Sequence, residues 1–216
     1  IALDTGSSTA KEPFFADIVA QGNIFYKHND QVQTDTDRFV DISGSDCNNI
    51  ARPVNFTMSF TKNIFWYEHT NAGSIAVTSI RGFEKLTDSV FTFVNNNFTS
   101  VHSQYDSGLT SSSTLIHVGS SRGTDKDLIL LGNVTLNVTD NYMRIASEPF
   151  GGTFLASYFN RVQFFGEDNV VDLVGNEVIF HTDANYDSQF SSKDVLLATN
   201  ALLVAEPVQF NVLRNN

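Results

Sequence analysis

The stretch NVTLNVT, residues 133–139, alternates polar and apolar side chains with a period of two residues. In an extended strand this alternation places Val134, Leu136 and Val138 on one face and the Asn and Thr side chains on the other. A strand with one apolar and one polar face is typical of a sheet that packs against a core on one side and meets water on the other. The stretch therefore predicts a β-rich fold with a polar outer surface.

The same period of two recurs at intervals along the rest of the chain. The segments that show it are 54–61, 75–80, 90–94, 115–118, 161–165, 177–182 and 208–213. Short strands separated by Gly, Asn, Asp and Ser favour an all-β fold, and we expect an antiparallel β-sandwich of jelly-roll or immunoglobulin-like type. Apolar residues at spacings of three and four predict one short helix near residues 192–204.

The domain organisation follows from the N-terminal pattern. Residues 1–22 combine a small polar stretch with an apolar, strand-like piece at 13–20, and we expect a tether that carries a possible donor strand. Residues 23–216 are expected to form a single β-sandwich domain. Two similar stretches begin at Gly22-Asn23-Ile24 and Gly132-Asn133-Val134, and we treat this likeness as coincidence, so no internal repeat is predicted.

Composition excludes several classes of function. A net charge of -11 repels phosphate, and the 13 Lys and Arg residues are scattered, so no nucleic-acid partner is expected. No apolar run approaches the length of a membrane span. The single cysteine, Cys47, forbids an internal disulfide. Because the chain begins at Ile1 rather than Met, we expect a processed or trimmed chain.

Residues 183–194 place oxygen ligands at the positions that a twelve-residue calcium loop requires. An apolar residue, Phe190, stands at loop position eight, and a helix-like apolar run follows. The predicted Ca²⁺ ligands, at loop positions one, three, five, seven, nine and twelve, are Asp183, Asn185, Asp187, the carbonyl of Gln189, Ser191 and Asp194.

This pattern resembles the calcium loop of dockerin modules, and the likeness is confined to these twelve residues. It departs from that pattern in having Ser188 where the loop usually turns on Gly, and in closing on Asp194 rather than the longer Glu. The resemblance implies a bound Ca²⁺ ion. Since dockerins pair two such loops and one is present here, we expect a structural clip.

One motif suggests catalysis. Residues 4–8 read DTGSS, which resembles the catalytic strand and turn of aspartic proteases. That mechanism needs two carboxylates that share a proton. The other Asp-Ser-Gly, at residues 106–108, does not follow an apolar strand, so Asp4 lacks a partner and we expect no enzyme.

Two further patterns leave alternatives open. Four glycosylation sequons begin at Asn55, Asn97, Asn133 and Asn137, and they predict either attached glycans or simple polar decoration of a solvated sheet face. Tyr67, Glu68 and His69 beside Trp66 could line a sugar site, because exposed aromatic rings stack on sugar C–H groups, but we favour the alternative that Ile64 to Tyr67 is simply a core strand.

These observations lead to a structural, self-assembling extracellular or cell-surface glycoprotein subunit that forms a fibre or matrix with copies of itself. Assembly is expected by donor-strand exchange, because a strand added to a sheet edge gains a ladder of backbone hydrogen bonds. The donor would be residues 13–20, with 208–213 as the second candidate. The expected contact residues are Phe14, Phe15, Ile18 and Val19.

Two other functions remain open at the level of sequence. The first alternative is a calcium-dependent carbohydrate-binding or adhesion module, which would bind glycans. The second is a virion coat protein, since jelly rolls also build shells.

Overall fold

A computed structural model describes residues 2–4, 14–29, 36–43, 54–69, 74–81, 85–102, 112–119, 129–147, 153–160, 162–166, 168–182, 193–200, 203–204 and 208–213. These ranges contain strands and turns and no helix, and therefore no helix long and apolar enough to cross a membrane. The strands, in chain order, are β1 (Ala2–Asp4), β2 (Phe14–Gln21), β3 (Ile24–Asn29), β4 (Thr36–Ser43), β5 (Val54–Thr61), β6 (Ile64–His69), β7 (Ser74–Arg81), β8 (Lys85–Thr87), β9 (Val90–Val94), β10 (Asn97–His102), β11 (Ser112–Gly119), β12 (Ile129–Gly132), β13 (Thr135–Thr139), β14 (Tyr142–Ser147), β15 (Thr153–Asn160), β16 (Val162–Phe165), β17 (Asn169–Val174), β18 (Glu177–Thr182), β19 (Lys193–Asn200), β20 (Leu203–Val204) and β21 (Val208–Leu213).

The strands form three sheets. Sheet A has the order β1-β4-β7-β11-β15-β19, and sheet C has the order β3-β6-β10-β14-β18. Sheet B contains β2, β5, and then the consecutive pairs β8 and β9, β12 and β13, β16 and β17, and β20 and β21. All of the strand pairings among the described residues are parallel.

The chain visits the three sheets in a fixed order. From β2 in sheet B it passes to β3 in sheet C, then to β4 in sheet A, and it returns to sheet B at β5, beside β2. We call each circuit a layer, so layer 1 is β2–β4, layer 2 is β5–β7, and the last strands, β20 and β21, begin layer 6. Successive layers lie about 4.8 Å apart, the spacing of paired strands. The described architecture is a parallel β-helix, in which each repeat contacts only its neighbours.

The predicted antiparallel β-sandwich is therefore wrong, although the β-rich prediction is confirmed. Alternation with a period of two reports that one face of a strand is buried, and it is the same for parallel and antiparallel pairing. The predicted helix near 192–204 is also wrong. Residues 193–200 form β19, which pairs with β15. A short apolar run of this kind satisfies helical spacing and strand burial equally.

The core is built from stacked positions of successive layers. Because the strands pair in register, a residue that points inward lies directly over its equivalent in the next layer. Phe60 and Phe93 stack with ring centroids 5.3 Å apart, and Phe25 and Phe65 stack at 4.8 Å. Offset aromatic stacking adds about 0.5–1.5 kcal/mol per pair to the burial of the rings. The abundance of Phe, 19 residues in this chain, is consistent with such interior columns.

Each passage from sheet B to sheet C is a two-residue turn of constant form. The first residue has a positive φ, and the second is Asn. The turns are Gly22-Asn23, Lys62-Asn63, Asn95-Asn96, Asp140-Asn141 and Gly175-Asn176, with φ values of 67°, 55°, 54°, 52° and 67° at the first residue. Gly, Asn and Asp are the residues that adopt this left-handed conformation most readily, and Lys62 departs from that preference.

The Asn side chains of these turns join the layers in a continuous ladder. Asn96 Nδ2 donates to Phe60 O at 2.8 Å and to Asn141 Oδ1 at 3.0 Å. Asn96 Oδ1 accepts from the backbone N of Asn63 at 3.0 Å and from its Nδ2 at 3.1 Å. Equivalent bonds hold Asn63, Asn141 and Asn176, and all four side chains are buried. The ladder satisfies turn amides that would otherwise be buried without partners.

The expectation that the chain has no internal repeat is corrected by this ladder. Gly22-Asn23 belongs to the recurring turn between sheets B and C. Gly132-Asn133-Val134 belongs to a different turn, between β12 and β13, where Asn133 has a φ of 53°. Successive ladder residues are 40, 33, 45 and 35 positions apart. With no fixed period, a search for regular self-similarity does not detect the repeat.

Candidate functional site: the first layer

Layer 1 lies at one end of sheets B and C, where β2 and β3 are edge strands among the described residues. Among the described strands, β2 pairs only with β5 and β3 pairs only with β6, so each has a neighbour on one side. The ladder also begins here, because Asn23 is exposed and donates from its side chain to Gln21 O at 3.2 Å and towards Asn63 Oδ1 at 3.4 Å. An unpaired strand edge is a template for further pairing.

Apolar side chains of layer 1 are unusually exposed. On the outer faces the exposed fractions are 69% for Phe15, 73% for Val19, 74% for Ile24 and 59% for Tyr26. The inward-facing side chains Ala16, Ile18 and Phe25 are only partly buried, although they pack against the core. Large exposed apolar residues grouped in one region of a surface mark an interaction site.

A charged cluster lies inside layer 1. Lys27 Nζ is 2.5 Å from Asp37 Oδ1, while Asp37 Oδ2 accepts hydrogen bonds from Asn29 Nδ2 at 2.8 Å and from Tyr67 OH at 2.9 Å. Burial by itself raises the pKa of Asp37, but the hydrogen bonds from Lys27, Asn29 and Tyr67 together lower it below its ordinary value. Burial, followed by the charge of Asp37, raises the pKa of Tyr67. The cluster therefore holds a paired carboxylate beside the open end of the core.

A second polar cluster lies on the outer face of sheet C. Trp66 Nε1 donates to Glu68 Oε1 at 2.7 Å, and Tyr26 OH donates to Glu68 Oε2 at 3.0 Å. His28 Nδ1 is 3.5 Å from the same Oε2 atom. The hydrogen bond from Trp66, followed by the bond from Tyr26, lowers the pKa of Glu68, and the bond to Glu68 raises the pKa of Tyr26. Two aromatic side chains and one ionised carboxylate thus form an accessible, ordered group.

Sheet A also aligns residue types that are found in hydrolases. Asp41, Ser79 and His117 occupy one register row across β4, β7 and β11. The Ser79 hydroxyl, however, is fully buried and has no hydrogen-bond partner among the residues that the structure describes. A nucleophile requires a base within hydrogen-bond reach and access for a substrate. The row of Asp41, Ser79 and His117 therefore does not have the geometry of a catalytic site.

The predicted calcium loop lies largely outside the described residues. Asp183, Asn185, Asp187, Gln189 and Ser191 all fall in the range 183–192, which the structure does not describe. Asp194 lies in β19, where the dockerin resemblance implies a helix. No cluster of metal-ligating side chains occurs among the described residues. Calcium binding stays a prediction.

The four sequon asparagines all lie on the outer surface. Asn97 and Asn133 are exposed, and Asn55 and Asn137 are half-buried on the outer face of sheet B. Asn133 Nδ2 donates to Asp88 Oδ1 at 3.0 Å, and the Thr139 hydroxyl bonds to Asn137 Oδ1. Their positions are compatible with attached glycans, which stay a prediction.

The predicted assembly residues fall together in β2. Phe15 and Val19 point outward, Ile18 points inward, and the side chain of Phe14 is outside the described set. The whole of β2 pairs with β5 of its own chain. Asp4 ends β1, and the rest of the DTGSS motif lies outside the described residues.

The sequence reasoning missed two groups of residues. The ladder asparagines were not singled out, although each precedes a strand and four of the five follow Gly, Asn or Asp, which adopt positive φ readily. The run from Ile64 to Tyr67 was favoured as simply a core strand, and it does lie in β6, but only alternate side chains of that strand enter the core. Phe65 and Tyr67 are buried, while Trp66 and Glu68 are half-buried on the outer face. Alternation within the run was the available signal.

Comparison with protein-family models, curated proteins and solved structures found no match for this chain.

Proposed function

We propose that this protein is a structural subunit of an extracellular or cell-surface assembly, and that its β-helix continues end to end from one copy to the next. The observation that carries the proposal is the open strand edge of layer 1, together with the core side chains Ala16, Ile18 and Phe25, which are only partly buried there. A second copy can cover both features at once, because a stacked layer pairs backbone groups and buries the ends of the interior columns.

The two ends of sheet B suit each other. The described part of the sheet begins with β2 and ends with β21, and both are parallel to their neighbours. Stacking in the same direction places β21 of one copy beside β2 of the next, and β19 beside β1. In sheet C, β18 of one copy and β3 of the next are then two layers apart, with no described strand between them. A head-to-tail contact of this kind does not close on itself by a two-fold axis, so it generates filaments or rings.

This mode of assembly differs from donor-strand exchange. In exchange, β2 would leave its own chain to complete another, whereas end-to-end stacking keeps β2 paired with β5 and adds a neighbour to its free edge. The same two segments, 13–20 and 208–213, form the contact in both. End-to-end stacking has the lower free-energy cost, because β2 does not have to separate from β5 first.

An extracellular location is supported by the composition of the outer surface. All four sequon asparagines lie there, and the chain has a net charge of -11. Hydrogen-bonded ladders and aromatic columns supply stability where many small secreted proteins rely on disulfides. An extracellular rod-like subunit is the proposal that accommodates these features together.

The test compares Ala16→Lys with Val90→Lys. Ala16 lies at the partly buried end of the core in layer 1, where a lysine can extend through the opening and place its charge at the contact. Val90 lies on the outer face of sheet B in layer 3, away from either end. Sedimentation velocity over a range of concentrations should show assembly of the native chain and of Val90→Lys, and monomers for Ala16→Lys.

Circular dichroism of both variants establishes whether each remains folded. Filaments or rings in negative-stain electron micrographs of the native chain would agree with the sedimentation result. A native chain that stays monomeric at every concentration contradicts the proposal. So does a folded Ala16→Lys variant that assembles as the native chain does.

A further inference from the structure

On the outer face of sheet C, where β3 and β6 lie side by side, the chemical character of the side chains changes along the strands. Three register rows define it: Ile24 with Ile64, Tyr26 with Trp66, and His28 with Glu68. All six side chains lie on the outer face and are at least partly exposed. We call these six residues the sheet C platform. It runs about 13 Å along the strands, and its rows pass from aliphatic to aromatic to hydrogen-bonding side chains.

Glu68 is held in place while retaining capacity to bind. One of its oxygens accepts from Trp66 and the other from Tyr26, which fixes the carboxylate between the two aromatic side chains. An ionised carboxylate offers about four acceptor positions, so these two donors, with His28 Nδ1 3.5 Å from Oε2, leave room for a further donor. The Tyr26 hydroxyl, which donates to Glu68, can still accept. The platform therefore presents ordered acceptors next to apolar rings.

A sugar ring matches this combination of groups. One face of a pyranose carries C–H groups that pack on an aromatic or aliphatic side chain, and its rim carries hydroxyls that donate to a carboxylate. Sites for small polar ligands commonly combine apolar walls with a few well-placed polar groups. The rows Ile24–Ile64 and Tyr26–Trp66 would contact the C–H faces, and Glu68 would accept from the hydroxyls.

Charge and shape narrow the class of ligand. The chain is strongly acidic, so a polysaccharide that bears carboxylates or sulfates would be repelled from Glu68. A quaternary ammonium ion also favours aromatic rings and a carboxylate, but the sites that bind it surround the ion with aromatic walls. The platform is instead an open face of two paired strands. Such a face suits an extended chain that lies across it.

We propose that the sheet C platform binds a neutral polysaccharide, with Trp66 and Tyr26 packing against sugar rings and Glu68 accepting hydrogen bonds from sugar hydroxyls. This inference is independent of end-to-end assembly. The platform uses the outer face of β3 and β6, whereas stacking uses the free edges of the terminal strands. The two proposals can therefore fail separately.

Trp66 provides a direct readout, because it is the only tryptophan in the chain. Its fluorescence should change on titration with one or more members of a panel of neutral hexasaccharides, namely those of cellulose, chitin, xylan and mannan. The bound sugar should also protect Trp66 from quenching by acrylamide. Measurements at concentrations where the chain is monomeric separate this result from assembly.

Matched variants test the assignment of roles. Glu68→Gln and Tyr26→Ala should each weaken sugar binding about tenfold or more, the factor that corresponds to the loss of one charge-assisted hydrogen bond or one ring contact. Glu177→Gln and Tyr142→Ala change the same residue types on the outer face of sheet C, outside the platform. Both controls should bind as the native chain does.

Several results would overturn the proposal. A fluorescence signal that no sugar of the panel changes at millimolar concentration contradicts it. Equal affinities for Glu68→Gln, Tyr26→Ala and the native chain would place any sugar elsewhere. Binding of tetramethylammonium or of polygalacturonate, without binding of the neutral panel, would assign the platform to a different class of ligand.

Discussion

Individual asparagine side chains connect the layers of this protein. Asn63, Asn96 and Asn141 each donate from the side-chain amide to a carbonyl of the preceding layer and to the side-chain oxygen of the following Asn. The carbonyl oxygen at the same time accepts from the turn amide of its neighbour. No other side chain of this size offers both donors and an acceptor without a charge. Asp would lack the donors, and Leu would leave the turn amides unsatisfied.

Substitution of one ladder residue should therefore be costly. We expect Asn96→Ala to lower the free energy of unfolding by about 3 kcal/mol, because it leaves buried groups of layers 2 and 4 without partners. Asn97→Ala, one position along, removes an exposed side chain and should change stability by less than about 0.5 kcal/mol. Denaturant unfolding of both variants provides the measurement. Equal stabilities would show that the ladder contributes little.

At the scale of single residues, the sequence predicted which strand side chains are polar and face outward. The polar faces of strands, with Asn55 and Asn137 among them, followed directly from alternation. The ladder did not, because a buried Asn and a solvated Asn between strands look alike in sequence. What separates them is the partner one layer away, some 33 to 45 residues distant. Secondary-structure propensity and hydrophobic periodicity describe residues that are close in sequence, so they do not reveal a contact between residues this far apart.

At the level of elements, the sequence located strands well and their pairing poorly. The predicted segments 54–61, 90–94, 177–182 and 208–213 coincide with β5, β9, β18 and β21. Their arrangement was wrong because the direction of a neighbour is set by the connection, and each connection here passes through two other sheets. The strand β19 shows the same limit, since its apolar run satisfied a helical spacing as well.

The link between β18 and β19 is the element to which the calcium prediction belongs. If residues 183–194 bind Ca²⁺ in the folded chain alone, calcium raises the free energy of unfolding by about 2.7 kcal/mol at a hundredfold excess over the dissociation constant. Thermal unfolding with calcium and with a chelator measures this shift. Asp183→Ala and Asp187→Ala should each abolish it.

A matched control for these variants is Asp168→Ala. This exposed residue lies in the turn before β17, outside the proposed loop, and its loss should leave the calcium response intact. Identical melting curves of the native chain in calcium and in chelator would mean that the loop is only a solvated connection.

On the scale of the whole molecule, stability should vary from layer to layer. In a repeat fold each layer gains its stability from the layers on both sides, so terminal layers are held by one interface. Backbone amides of β9 and β13, in layers 3 and 4, should exchange with deuterium most slowly, and those of β2 and β3 faster.

Hydrogen–deuterium exchange followed by mass spectrometry resolves these segments. The control is the same experiment on Ala16→Lys, in which β2 should stay fast at every protein concentration. In the native chain the exchange of β2 should slow as the concentration rises and the free edge is covered. Uniform exchange across all layers would instead indicate one cooperative unit.

The turns between sheets B and C have a consequence for how such a chain can change its length. The described turns of layers 1 to 5 share one backbone conformation and an Asn at the second position, so a layer can be inserted or lost without altering the fit on either side. The differences in layer length, 33 to 45 residues between successive ladder asparagines, fall outside these turns. A gene for such a protein can therefore grow by duplication of a segment encoding one circuit, and each copy is free to acquire its own surface.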